Sequence, residues 1–215
     1  MALLLLASAL LQTQAAPQTK QPFQDEIEAF ETADLKNPPQ KGGIVFVGSS
    51  SIRMWSSLAQ DFPGRNVINR GFGGSQIADS VRYAHRVVTK YEPKMVVFYA
   101  GTNDIADGKS AETVFKDYQA FVKEVRTDLP RVKIAFISIS PAPSRKSKWD
   151  EMFKANALIR DYSRHHRGLT YIDIVPLMLD HGNPRPELFR DDQLHMNRKG
   201  YELWVKEVGR YLHKS

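Results

Sequence analysis

Apolar positions recur along this chain at two periods, and the two periods take turns. Between Gly43 and Gly48 stands an unbroken apolar run, Ile44-Val45-Phe46-Val47. Such a run suits a strand covered on both faces of a parallel sheet. Strand-like segments follow at 66–69, 95–99, 132–137 and 169–172, and helical three-to-four spacing marks 75–90, 110–128 and 150–166. A last helix is expected over 198–213, carrying Tyr201, Trp204, Val205, Val208 and Leu212. Ahead of the first strand, Phe23, Ile27, Phe30 and Leu35 recur at near-helical spacing up to the breaker Asn37-Pro38-Pro39, which predicts an amphipathic helix on the outside. Strands alternating with helices imply right-handed crossovers, so the expected fold class is α/β, a three-layer α/β/α sandwich around a five-stranded parallel sheet. In such sheets ligands bind outside the carboxyl ends of the strands, and those are the positions to inspect.

Composition narrows the class further. Apolar residues at 42% and charged residues at 25% supply a packed interior for a chain of 215 residues. Residues 1–15 read as a signal peptide: the apolar stretch Met1 to Leu11 is too short for a membrane span, and Thr13-Gln14-Ala15 offers a small-x-small cleavage site. The expected location is therefore outside the cytoplasm, secreted or periplasmic, with no stable membrane insertion once the leader is removed. Residues 16–42 form an N-terminal extension holding the amphipathic helix, and 43–215 form the main domain. The chain has no cysteine, which excludes disulfides, thiolate metal sites and a thiol nucleophile. A net charge of +6 raises the question of nucleic acid, but Arg145-Lys146-Ser147-Lys148 and Arg164-His165-His166-Arg167 read as solvated faces. No nucleic-acid partner is expected, and the oligomeric state is left open.

Chemistry gathers at the strand ends. The first strand runs into Gly48-Ser49-Ser50-Ser51, the second into Asn69-Arg70-Gly71-Phe72-Gly73-Gly74, and the third into Gly101-Thr102-Asn103-Asp104; near the carboxyl terminus stands Asp192-Gln193-Leu194-His195. Each alone has a plain structural reading as a helix cap, a tight turn, an Asx turn or a solvated histidine. Together, in this order and spacing, they resemble the four sequence blocks of the SGNH/GDSL hydrolases, a resemblance covering roughly residues 43–213. It implies the flavodoxin-like SGNH hydrolase fold and a serine carboxylic-ester hydrolase with no metal or organic cofactor. It makes Ser50 the nucleophile, with Ser49 standing where the family has Asp, so that Ser49 and Ser51 stay as alternatives. It makes Asp192 and His195 the acid and base of a triad, with Asp191 as rival acid, and it points to Gly74 and Asn103 as oxyanion-hole donors.

The physical logic agrees with that assignment. A serine hydroxyl needs a base within hydrogen-bond reach and a third group to orient the base. If 192–195 form a helical turn, i and i+3 share a face and the carboxylate can meet one ring nitrogen while the other faces Ser50. A helix expected after Ser50 would add its positive dipole end. His165 and His166 share no helical face, which gives no ligand pattern. A nucleotide site fits poorly, because Gln76 stands where a dinucleotide fingerprint needs Gly and no Walker-type sequence occurs. With only modest loops near 140–149 and 176–193, the expected substrates are small-molecule or glycan esters with short acyl or O-acetyl groups. A lysophospholipase-type acylhydrolase, an acyltransferase and an inactive glycan-binding module on the same fold are the alternatives. Arg53, Trp55, Tyr99 and Trp149 stay open between surface or core and pocket lining.

Overall fold

Each apolar run becomes a strand with both faces covered, and the alternation of its side chains divides the interior into two cores. The structure, a computed structural model, describes residues 20–212, so the expected leader at 1–15 lies outside the described residues. In chain order the first elements are α1 (Gln24–Lys36), β1 (Ile44–Gly48), α2 (Ser50–Arg53), α3 (Leu58–Asp61) and β2 (Val67–Gly71). Next come α4 (Ile77–Arg82), α5 (Ala84–Val87), β3 (Met95–Tyr99), α6 (Thr102–Ala106), α7 (Ala111–Asp128) and β4 (Lys133–Ile137). The chain closes with α8 (Trp149–His165), β5 (Leu169–Ile172), α9 (Val175–Met178), the short pair β6 (Leu179–Asp180) and β7 (Asn183–Pro184), and α10 (Arg198–Leu212).

The five long strands pair in parallel in the order β2-β1-β3-β4-β5. Val45, Val47, Val96, Phe98, Ile134 and Phe136 point to one side, where α1, α4, α5, α7 and α8 cover them. Ile44, Phe46, Met95, Val97, Ala135 and Ile137 point to the other, against Ile52, Trp55, Leu58, Met178 and Trp204 of α2, α3, α9 and α10 and their flanks. Because β1 leads to β2 on one side while β3 lies on its other side, the sheet changes winding direction between β1 and β3. Parallel sheets open a crevice at that point.

Two sequence expectations need correction. The single helix expected over 75–90 is broken into α4, α5 and a 3-10 turn at Thr89–Tyr91. Tyr83 leaves helical geometry at φ −100°, ψ 7°, and the β-branched run Val87-Val88-Thr89 that follows loses rotamer freedom in a helix. In α1, Leu35 is 85% exposed while Ile27 is fully buried. At 3.6 residues per turn the face set by Phe23, Ile27 and Phe30 continues to Asp34, not Leu35. Asp34 accordingly faces inward, where it pairs with the Arg70 guanidinium, accepts the Tyr91 hydroxyl at 2.6 Å and meets Lys90 at 3.2 Å. The helix that reads as a surface attachment is thus fastened by its polar residues as well as its apolar ones.

Candidate active site

Gly48 ends β1 at φ +135°, and a Cβ there would stand 1.8 Å from the Tyr99 carbonyl oxygen. Only glycine lets β1 pass β3 so closely. The Ser49 N–H donates to that same carbonyl at 2.9 Å, continuing the ladder one residue before the chain turns into the single helical turn of α2 at Ser50. Ser50 therefore stands at the crest between β1 and β3, at the winding reversal. The expected helix after it is one turn long, so its dipole contribution is correspondingly small.

His195 reaches this crest from the far end of the chain. Its Nε2 lies 2.9 Å from Ser50 Oγ and its Nδ1 lies 2.7 Å from Asp192 Oδ2. The hydroxyl of Ser50, rather than that of Ser49 or Ser51, is the one that meets the ring. Ser49 is buried as the residue before α2, and the Ser51 carbonyl accepts the Tyr201 hydroxyl at 2.8 Å. Asp191 is exposed, and the carboxylate on the ring is that of Asp192.

The helical turn expected at 192–195 is not what joins acid to base. Gln193 takes a left-handed conformation at φ 53°, and Asp192 Oδ1 accepts the N–H groups of Leu194 and His195, both at 2.9 Å. An Asx-type turn has displaced the helix because a carboxylate that satisfies its own following N–H groups competes with helical hydrogen bonding. The loop is closed by a bridge between buried Phe189 and Met196 and by the Arg190 N–H donating to the His195 carbonyl at 2.8 Å. Burial pushes the Asp192 pKa up, but the His195 ring and the two N–H groups outweigh it and hold the carboxyl at about 2.

Asn103 follows Gly101, whose φ of +114° turns the chain into α6. Its side-chain Nδ2 donates to the Ser75 carbonyl at 3.0 Å, which leaves the second amide hydrogen for the cavity it lines. Gly74 lies on the adjoining loop at φ +72°, with open space where a Cβ would be. That loop is braced against the end of β1, since the Phe72 N–H donates to the Gly48 carbonyl at 3.0 Å. The N–H groups of Ser50 and Gly74 donate to no group among the described residues. Asn69, by contrast, does not line the cavity: its amide donates to the Ile52 carbonyl at 2.6 Å and accepts the Gly71 N–H at 2.9 Å, tying β2 to α2.

The cavity itself is bounded by Ser49, Ser50, Ser51, Tyr99, Thr102, Asn103, Ala142, Leu194 and His195 and measures about 10 Å³. That is room for about one water-sized sphere. Tyr99 is thus both core and lining. Trp55 is core, packed edge-on against Phe46 and Trp204, and Trp149 is buried with its indole N–H on the Ala142 carbonyl at 3.0 Å. Arg53 is exposed and pairs with Glu26 at 3.3 Å.

Sequence reasoning missed Asp104. It is fully buried, accepts the Ile77 N–H at 3.2 Å and holds Lys109 at 3.0 Å, and Lys109 also meets Asp117 at 2.7 Å. Burial raises the Asp104 pKa and the Lys109 ammonium opposes that rise. The hint was a lysine five residues after the Asn-Asp pair. His165 and His166 bond the carbonyls of Asp161 and Tyr162 on their own chain segment, and among the described residues no His, Asp and Glu cluster fit for a metal is found.

A serine at the winding reversal of a parallel sheet, within hydrogen-bond reach of a histidine that a carboxylate orients, has the geometry that serine acyl transfer needs. The sequence profile of the GDSL-like lipase/acylhydrolase family matches residues 44–203, and the chain belongs to that family. Solved structures agree in fold. A proposed acylhydrolase from Bacteroides fragilis is 22% identical with a TM-score of 0.78, over 91% of this chain and 99% of that one. A GDSL-like lipase from Bacteroides thetaiotaomicron is 20% identical with a TM-score of 0.73, over 87% and 97%. A carbohydrate esterase of family 3 from Talaromyces cellulolyticus is 19% identical with a TM-score of 0.63, over 80% and 97%. No curated protein matches the chain significantly.

Proposed function

We propose that this acylhydrolase is a serine esterase that removes short acyl groups, O-acetyl groups on carbohydrate foremost, through an acyl-enzyme. The observation that carries the reading is the unbroken relay from Ser50 Oγ to His195 Nε2 at 2.9 Å and from His195 Nδ1 to Asp192 Oδ2 at 2.7 Å. As Ser50 Oγ attacks the ester carbonyl, His195 Nε2 takes its proton, and the negative oxygen that forms is received by the N–H groups of Ser50 and Gly74 and the Asn103 amide. Collapse breaks the bond to the alcohol oxygen, which leaves with the proton from His195. Water then enters, gives a proton to His195 and attacks the acyl carbon; the acid departs and the proton returns to Ser50 Oγ.

Two observations favour a small acyl group. The cavity has room for little more than an acetyl methyl, and among the described residues no long insertion separates the elements that line it. The fold likeness to solved carbohydrate esterases, one from Talaromyces cellulolyticus and one from Clostridium thermocellum, suggests where to begin with the alcohol part. The apolar stretch Met1 to Leu11, read as part of a signal peptide over 1–15, supports export, which would bring the enzyme to acetylated glycans.

The experiment compares p-nitrophenyl esters of increasing chain length with acetylated sugars, for wild type and Ser50→Ala. Expected are turnover of acetyl esters, a fall in rate with chain length and loss of activity in Ser50→Ala. No hydrolysis by wild type, or unchanged hydrolysis by the variant, removes the reading in favour of an inactive module. Product formed with added alcohol acceptors in preference to water identifies an acyltransferase, and a preference for long chains identifies a lysophospholipase-type enzyme.

A further inference from the structure

We propose that Glu26, on helix α1 and outside the span that the family profile matches, is a positioning residue for the oxyanion hole. It holds the Phe72-Gly73 peptide, directly before the peptide that carries the Gly74 N–H, and the inference rests on Gly74 serving as an oxyanion donor. The two carboxylate oxygens of Glu26 accept the Gly73 N–H at 3.1 and 3.3 Å. Arg53, three residues after the nucleophile, pairs with the same carboxylate at 3.3 Å and lies over Gly73, where a Cβ would stand 1.9 Å from its guanidinium. Three elements thus meet at one glycine: α1, the nucleophile turn and the loop after β2.

The need for such a clamp follows from the loop's composition. Gly-Phe-Gly-Gly has more backbone freedom than any other stretch at the site, and the space where a Gly74 Cβ would stand is open. An oxyanion donor contributes only when its N–H already points to where charge will develop. The downstream side of the loop is held from α6, by Asn103 on the Ser75 carbonyl and Asp104 on the Ile77 N–H. Upstream, the Gly73 N–H is held by Glu26, through a charge-assisted bond that is stronger than a neutral one. The positive charge of Arg53 beside the carboxylate offsets the repulsion that a bare anion would exert on a nearby oxyanion.

Helix α1 does not depend on Glu26 for its seat. Ile27 is fully buried, the Tyr83 hydroxyl donates to the Pro22 carbonyl at 2.7 Å, and Arg86 makes paired bonds to Glu31 at 2.8 and 2.6 Å. Removing Glu26 therefore frees the glycine loop while leaving the helix docked.

The test measures kcat and KM for p-nitrophenyl acetate, and inhibition by phenylboronic acid, whose tetrahedral serine adduct places an oxygen in the oxyanion hole. Glu26→Ala is expected to lower kcat about tenfold, a fraction of the 10²–10³ that losing a whole donor costs, with KM within about twofold. Boronate binding should weaken by a similar factor. Glu26→Gln, whose amide oxygen still accepts from Gly73, should recover most of the rate, and it keeps the test decisive if the alanine variant folds poorly. Glu31→Gln, which loosens α1 away from the loop, should leave kcat unchanged. An active wild type with Glu26→Ala within twofold of it, or with Glu31→Gln losing as much as Glu26→Ala, overturns this proposal alone. An inactive wild type overturns the esterase reading beneath it.

Discussion

Replacing Asp192 with Asn is the sharpest perturbation of the relay, because it keeps shape while reversing one hydrogen bond. Asp192 uses Oδ1 for the Leu194 and His195 N–H groups, so an Asn carbonyl should stay there and the loop should keep its form. The amide nitrogen then faces His195 Nδ1 across 2.7 Å. An amide donates, so Nδ1 must accept and the ring proton moves to Nε2, which can no longer take the Ser50 proton. This wrong-tautomer effect costs up to about 10⁴ in turnover at a triad; with Asp192 partly open to water, a loss of about 10³ is expected here, near 4 kcal/mol of barrier. Steady-state turnover of p-nitrophenyl acetate measures it, with circular dichroism to verify folding. A folded Asp192→Asn variant keeping more than a tenth of wild-type kcat would refute the assigned role of Asp192. Stability gives an independent reading of the same carboxylate. Its folded pKa of about 2 lies below the ordinary 3.8, so its stabilisation is fully present above about pH 4 and is lost as pH falls through 2. The stability gap between wild type and variant should be open at pH 6, narrow steadily below pH 4 and close only below pH 2 in denaturant titrations.

Three further outcomes follow from the geometry. Asn103→Ala should lower kcat by about 10²–10³ through loss of a donor, yet cost only about 1 kcal/mol in urea unfolding through the bond to Ser75. Gly48→Ala should destabilise by roughly 3 kcal/mol or more, since the new methyl meets the Tyr99 carbonyl and φ is positive; a thermal melt within a few degrees of wild type would contradict that. Leu35→Lys should change unfolding free energy by less than about 0.5 kcal/mol, because the side chain is exposed, whereas a large loss would restore Leu35 to the core.

The sheet was legible because β1 and β3 are buried on both faces, and such strands are apolar without interruption. The edge strand β2 is half polar, and there the expected segment 66–69 fell short of the observed Val67–Gly71. Ser50, Asp192 and His195 are brought together from distant positions that local sequence could nominate only by the company of the other blocks. The path between Asp192 and His195 was misread because i and i+3 spacing fits a helix and an Asx turn alike. The backbone contacts of Glu26 and Asp104 were illegible for a different reason, although Lys109 hinted at a buried partner for Asp104. Their partners are backbone N–H groups 47 and 27 residues away, and every residue type carries that group, so no side-chain pattern announces the pairing.

The loop that carries Asp192 and His195 is closed on itself, with Phe189 and Met196 as its anchors in the core. The imidazole and the carboxylate that the proposed relay needs therefore ride on one buckle. On the proposed mechanism, a substitution at either anchor should therefore shift base and carboxylate together relative to Ser50, so that a packing change far from the hydroxyl reads out as a loss of turnover.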